Sequence, residues 1–519
     1  MLVRIVIVWL LSLGLICAGA CRRHRAGTSS INRAERHELV TALISAPLTF
    51  DPRGLTSADT AQVQQLLFRT ILKKSHTYDL EADLAEKWEL DPTAMRLVAK
   101  LRAGITFHDG RPCRAQDVVY TYTSMMAEHT GKASAFSKLA EVKALDELTV
   151  EFRNREPNPG LPVDLVAVGI IPEGSSPTIA DHPIGTGPFQ FEAYQPSQWI
   201  RLKSFAGNSP ASPQPQITLT IRILPDAATR ELELASGSLD FLLDADLQPS
   251  QLEQWKSNPD WNVTVFPGGG LVYLSLNTEN PLLKSVKARQ ALALAINRPE
   301  IINRVLGGNA EPAMSPLPPK HWALSPNLMR FDFERQQATQ LWQEANGTGP
   351  AKLTLLVTAD ANQRRIGGIL QEHWRQIGVQ VEIQSVETAL YFERLRYGDY
   401  AIALAKLTGG NQFVTIFKGA FHSRAIHVRG TTDTGELNYA RYRNPDVDAL
   451  IDQAQQSPFS MDQATEASKY LTIQKKIVEE APWIFLWHPS HVLVARTSLD
   501  GFEFPPGGSG EVYARVHYR

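Results

Sequence analysis

The stretch LRAGITFHDGRPCRAQDVVY, residues 101–120, sets a histidine, an aspartate and a cysteine close together as His108, Asp109 and Cys113. An imidazole and a carboxylate near a thiol are the parts of an activated nucleophile, provided they converge in space. The sequence gives little support for convergence. Asp109-Gly110 is a strong turn signal that would leave His108 exposed in a loop, with Asp109 bonding its own backbone. Cys113, with no identified base, reads as a small buried hydrophobe. His488 and His491 have the spacing of a metal pair but no third ligand nearby. There is no GxSxG elbow, no GxxxxGK[ST] phosphate loop and no HExxH pair. The glycine-rich GGNQ (409–412) and PGGG (267–270) lack the strand–loop–helix setting of nucleotide binding and suit turns or hinges. We therefore expect no catalytic residue, no metal site and no cofactor.

The elements around these groups are interleaved strands and helices. MRLVAKLR, 95–102, alternates so that Met95, Leu97, Ala99 and Leu101 face one way, as in a half-buried strand. AQDVVYTYTSMM (115–126) reads as a helix. The clearest unit is 353–384. LTLLVT is a buried strand, and the following helix puts Ile366, Leu370, Trp374 and Ile377 on one face. Gly378 closes that helix and VQVEIQ is the next strand. Strand, helix and strand in that order predict a parallel crossover and an α/β fold. A further helix is expected at 284–297, with Ala288, Leu292, Ala295 and Ile296 on one face and Pro299 in the first turn of the next helix. Proline-rich stretches at 154–162, 207–216 and 315–326 have the composition of linkers.

Length and charge bound the rest. A chain of 519 residues is too long for one core and predicts two or three lobes. Hydrophobic residues make up 43%, and 52 Lys+Arg stand against 54 Asp+Glu. That balance gives no basic stripe for gripping nucleic acid. At the N-terminus Arg4 precedes an apolar run, Ile5 to Ala20, shorter than the roughly 20 residues of a spanning helix. The run ends in Ala18-Gly19-Ala20 before Cys21, as in a secretory signal (1–20) cut ahead of a lipidated cysteine. Residues 21–37 then form a polar, basic tether. Cys113 is left without a disulfide partner.

Several blocks, in order, resemble the extracytoplasmic solute-binding proteins of the peptide/nickel-binding family, family 5, which serve ABC transporters. They are TFDPRGLTSADTAQVQQLLFRTIL (49–72), DLAEKWEL with MRLVAKLRAGITFHDGRPCRAQDVVYTY, and HPIGTGPFQFEAY (182–194). Two more are YLSLNTENPLLKSVKARQALALAINRPEIINRVLGGNAEPAMSPLPP (273–319) and AQQ with YLTIQKKIVEEAPWIFLWHP (454–489). The resemblance implies a bilobed periplasmic-binding-protein-like clamp, type II and cluster C-like. The first lobe would span 38–268 with an extra subdomain at about 77–184. The second would span 269–484, and 485–519 would return to the first. It also makes Phe107-His108-Asp109-Gly110 an architectural hairpin turn.

The same resemblance implies a solute held between the lobes and delivered by a lipid-anchored monomer to a membrane permease. A sensor or chaperone that kept the fold without a transport role is the alternative. Candidate lining residues are Tyr273 and Asn277, placed at the lobe crossover, with Arg364, Arg365, Lys406, Gly410 and Asn411. Peptide binders of the family carry a tryptophan and an acidic Asp-Pro segment near 405–417, where the aspartate pairs with the peptide ammonium. Here the segment reads AKLTGGNQFVTIF, and no carboxylate occurs between Asp399 and Asp433. A buried ammonium without a counter-charge is costly. The expected ligand therefore has no obligatory free α-ammonium, unless an acid arrives from a distant segment. Arg364 or Arg365 could take a carboxylate through a bidentate fork.

Overall fold

The computed structural model describes residues 37–519 except 56, 76, 207–216, 245–248, 408–412, 431–436, 458–459, 461, 505–511 and 513. The signal segment, Cys21, Gly410, Asn411 and the stretch 207–216 lie outside the described residues.

The fold is a bilobed α/β clamp built from three large sheets. In the first lobe, strand Glu38–Leu43 pairs in parallel with Thr218–Ile223, and the sheet continues antiparallel through Trp199–Ser204 to Phe189–Gln195. A second four-stranded sheet orders Ala85–Leu90, Arg96–Leu101, Thr149–Asn154 and Leu139–Ala144. The alternation read in the sequence holds there, since Leu97, Ala99 and Leu101 are buried and Arg96 and Lys100 are exposed. Helix Ala115–Ala127 covers this sheet, and the two enclose a core of their own that runs from Ile71 to Ile170.

The third sheet carries the parallel crossover. Strand Ala351–Thr358 pairs in parallel with Val379–Val386, and helix Ala361–Arg375 connects them. Asp360 caps that helix by accepting from the Gln363 amide at 2.8 Å, and Gly378 takes a φ of +86° just beyond it. Ile366, Leu370, Trp374 and Ile377 are buried against the strands. The next strand, Ile402–Leu407, lies parallel to the first and antiparallel to Leu271–Leu276. The helix expected at 284–297 is shorter, Val286–Leu294, and Asn297 opens the following helix by accepting from Glu300 N. Pro299 sits in its first turn.

One strand, Trp483–Arg496, belongs to both lobes. Its first half pairs with Leu271–Leu276, while its second half pairs with Trp261–Pro267 and Phe241–Leu243. No clean return at 485 exists, because the lobes share this strand's backbone.

Two of the proline-rich stretches are packed segments rather than linkers. Asn154 is buried and donates to the Ala94 carbonyl at 3.0 Å, and Leu161 is fully enclosed. Ser315, Leu317, His321, Ala323 and Ser325 are all buried. Proline fixes the backbone before folding, so such segments lose little entropy on packing. Composition alone reads that stiffness as spacing.

Candidate solute site between the lobes

The chain crosses between lobes at Pro267–Leu271 and again at Trp487–Ser490. Their approach is close enough that a Cβ on Gly268 would lie 2.2 Å from the Pro489 carbonyl oxygen. This is the physical role of PGGG: backbone must meet backbone there. Gly270 offers its carbonyl to His488 Nδ1 at 2.8 Å. A carbonyl only accepts, so Nδ1 carries the proton and Nε2 is left as an acceptor. Burial pushes the His488 pKa down to about 4 against the opposing pull of that bond, so the ring is neutral.

Beside this crossing the short strand Ala310–Pro312 pairs antiparallel with Trp487–Pro489, which sets Glu311 directly opposite His488. Directly opposed residues in an antiparallel pair share a face. A cavity of about 70 Å³ opens there, lined among others by Glu311, His488, Ser490, Lys320, Tyr78 and Phe504. Its volume has room for roughly five waters. A larger solute requires the lobes to part.

The first lobe closes over this cavity through the hairpin Leu72–Ala82. Tyr78, held at a φ of +67°, stacks on His321 with ring centroids 5.5 Å apart. The adjacent Asp79 accepts from the Gln463 side chain. Burial pushes the Tyr78 phenol up, and the Glu311 carboxylate adds to the effect. His321 is driven down to about 3 by burial, with Lys74 contributing.

The sequence-chosen residues fall into three groups. The carboxyl ends of strands 351–358, 379–386 and 402–407 lie at the crossover end of their sheet, the usual ligand side of an α/β sheet. Arg364, Arg365 and Lys406 sit at that end and are exposed. Arg364 donates to the Ala359 carbonyl at 2.8 Å and Arg365 to the Arg304 carbonyl at 3.2 Å. Tyr273 is at the same end of its strand but inside the core, stacked on Trp483 with ring centroids 3.8 Å apart. Asn277 is corrected: it follows the far end of strand Leu271–Leu276, roughly 20 Å from the crossover at about 3.3 Å per residue. Its amide donates to Gly398 and Tyr400 carbonyls at 2.9 and 3.1 Å and accepts from Glu279 N.

His108 is also corrected, because it is part-buried rather than an exposed turn residue. Its Nδ1 accepts from Gly185 N at 3.2 Å, so Nε2 carries the proton and donates to the Gly187 carbonyl at 3.2 Å. The ring also meets Phe205 edge-on at 5.0 Å. The hairpin thus holds the GTGP segment, and burial drives His108 down to about 4. Asp109 behaves as read, accepting from Arg111 N at 3.1 Å. Cys113 is buried and its thiol is pushed up by that burial, so it is a poor nucleophile. His491 bonds Asp244 at 2.8 Å, away from His488's partner. Among the described residues no group of three or more His, Cys, Asp or Glu could hold a metal ion. Nor, among them, is any helix long and apolar enough to cross a membrane.

Sequence reasoning missed Glu311, His488, Lys320 and Tyr78 as a group. Lys320 lies within a stretch read as a linker, Tyr78 lies in no stretch singled out, and only the strand register brings Glu311 to His488.

Comparison with known proteins supplies the family. Over 522 residues the chain is 25% identical to the oligopeptide-binding protein AppA of Bacillus subtilis, covering 94% of this chain and 93% of that one. It is also 25% identical over 550 residues to the heme-binding protein A of Haemophilus influenzae, covering 97% of each. The solved structure of HbpA2 from Haemophilus parasuis superposes with a TM-score of 0.80 at 25% identity, covering 93% of this chain and all of that one. Residues 79–422 match the model of the bacterial extracellular solute-binding proteins, family 5 middle region, and the chain belongs to that family.

Proposed function

We propose that the chain is the solute-capturing component of an ABC importer, closing two lobes over a peptide-like or other small polar solute and presenting it to a membrane permease. The observation that carries this reading is the shared strand Trp483–Arg496 with a cavity, lined in part by Glu311, His488 and Lys320, at the point where it passes between lobes. Bending a few residues of two crossing segments opens or closes such a clamp, and closure itself signals occupancy. No chemical step is needed. Arg364, Arg365 and Lys406 would meet the outer part of the solute, and Gly410 and Asn411 are further candidates to contact it. Tyr273 would act from behind by fixing the strand. The protein would work as a monomer held at the membrane through a lipidated Cys21.

Native mass spectrometry of protein purified from its own host tests the capture. A retained small solute, together with a smaller radius of gyration in the loaded than in the emptied protein, is the expected result. Loss of uptake of that solute when the neighbouring permease is deleted separates importer from sensor. A Cys21→Ser variant should leave the membrane fraction or stay uncleaved. Identical fractionation and migration of variant and wild type would remove the anchor from the reading.

A further inference from the structure

We infer that Glu311 is the counter-charge for a protonated amine or similar cationic head on the solute, supplied by strand Ala310–Pro312 of the same sheet rather than by the segment 405–417. The inference rests on the solute-capture reading and names the chemistry of the captured group. Four observations point the same way. Glu311 lines the cavity between the lobes. Its strand register places it on the same face as His488, which lines the same cavity. His488 has committed its only proton to the Gly270 carbonyl, so it can offer the cavity only an acceptor. Finally, among the described residues no cation comes within ion-pair distance of the Glu311 carboxylate. Lys320 lines the same cavity and forms no such pair with it.

A carboxylate, a neutral imidazole acceptor and the Ser490 hydroxyl make an acceptor-rich wall. An ammonium group has three donors and no acceptor, so it satisfies such a wall, whereas a carboxylate would meet like charge. The small volume suits a head group rather than a whole solute. This arrangement restores what the segment 405–417 lacks. A free amine on the solute is then required, contrary to what that segment alone suggests.

The test uses purified protein, wild type and Glu311→Gln, with ethylammonium chloride as the head-group probe and acetamide as its uncharged control. Saturation-transfer NMR should detect ethylammonium but not acetamide on the wild type. The signal should weaken about 10- to 100-fold in apparent affinity in Glu311→Gln, the range expected for a lost hydrogen bond to a charge. The substitution keeps shape and removes only charge, and an unchanged melting temperature checks the fold. Equal ethylammonium binding by both proteins, or none by the wild type, overturns the inference. So does a solute retained from the host that lacks a basic nitrogen, although that result leaves solute capture standing. Host-purified protein with no retained solute and no closure counts against solute capture itself, and the inference falls with it.

Discussion

Replacing His108 with alanine tests whether the hairpin turn is a clasp. The ring holds two backbone groups of the GTGP segment, accepting from Gly185 N and donating to the Gly187 carbonyl. Each bond contributes about 1 kcal/mol net, and the edge contact with Phe205 adds about 0.5–1 kcal/mol. The variant should therefore lose about 3 kcal/mol at pH 7.5. The pH dependence makes the test specific. The folded ring titrates near pH 4, below the ordinary 6.5, because burial disfavours its charge. Between those values the unfolded chain binds more protons than the folded one, so stability falls as pH falls. The stabilisation is complete above about pH 6.5 and drains away toward pH 4. At pH 5 the wild type has lost about 2 kcal/mol through this group, and the variant, which lacks it, has not. Urea unfolding at pH 7.5 and pH 5 should then show the gap between the proteins shrinking to about 1 kcal/mol. A gap that stays constant, or widens on acidification, would refute the neutral clasp.

Gly187→Ala would place a Cβ 2.3 Å from the Leu66 carbonyl oxygen, where the helix Ala58–Leu67 ends. It should cost about 3 kcal/mol or more in thermal unfolding, whereas Gly110→Ala, with φ +87° but open space, should cost about 1–2 kcal/mol. Arg53 is only 1% exposed and holds Asp51 at 2.8 Å and Glu128 at 3.2 Å. Arg53→Met should lose about 3–5 kcal/mol, read from urea midpoints, because it strands a poorly exposed carboxylate. Cys113 should resist iodoacetamide at pH 8 in the folded protein and react after denaturation, as peptide mass mapping would record. Cys113→Ala should cost about 1–2 kcal/mol and leave solute binding unchanged.

The elements with strong periodicity were legible. Strand 351–358, its helix and strand 379–386 follow from a period of two giving way to 3.6, then a glycine, then a period of two again. The turn chemistry of Asp109-Gly110 was equally plain. What lay beyond reach were contacts made across the sequence. Nothing local tells that His108 faces Gly185 and Gly187, so a turn histidine reads as exposed. A proline-rich run looks like a spacer until a core is seen to close on it, as at Leu317 and Ala323. The candidate site suffers most, because its walls come from residues 78, 267–268, 311, 318–320, 488, 490 and 504. Arg364 and Arg365 could be chosen by residue type, but Glu311 needed the register of a three-residue strand.

The shared strand also dictates an order of assembly. Phe241–Leu243 and Trp261–Pro267 must wait for partners at residues 490–496, and Tyr518 reaches back to the Glu38 carbonyl across 480 positions. The second lobe, by contrast, draws all but its last strand from one continuous stretch. A chain emerging from its N-terminus can therefore complete most of the later lobe while the earlier one is still missing an internal strand. Long-range pairing of this kind slows folding and leaves strand edges open until the final residues arrive. Truncating the chain before Ser490 should thus leave the first lobe, not the second, unable to fold, even though every deleted residue lies at the far end of the gene.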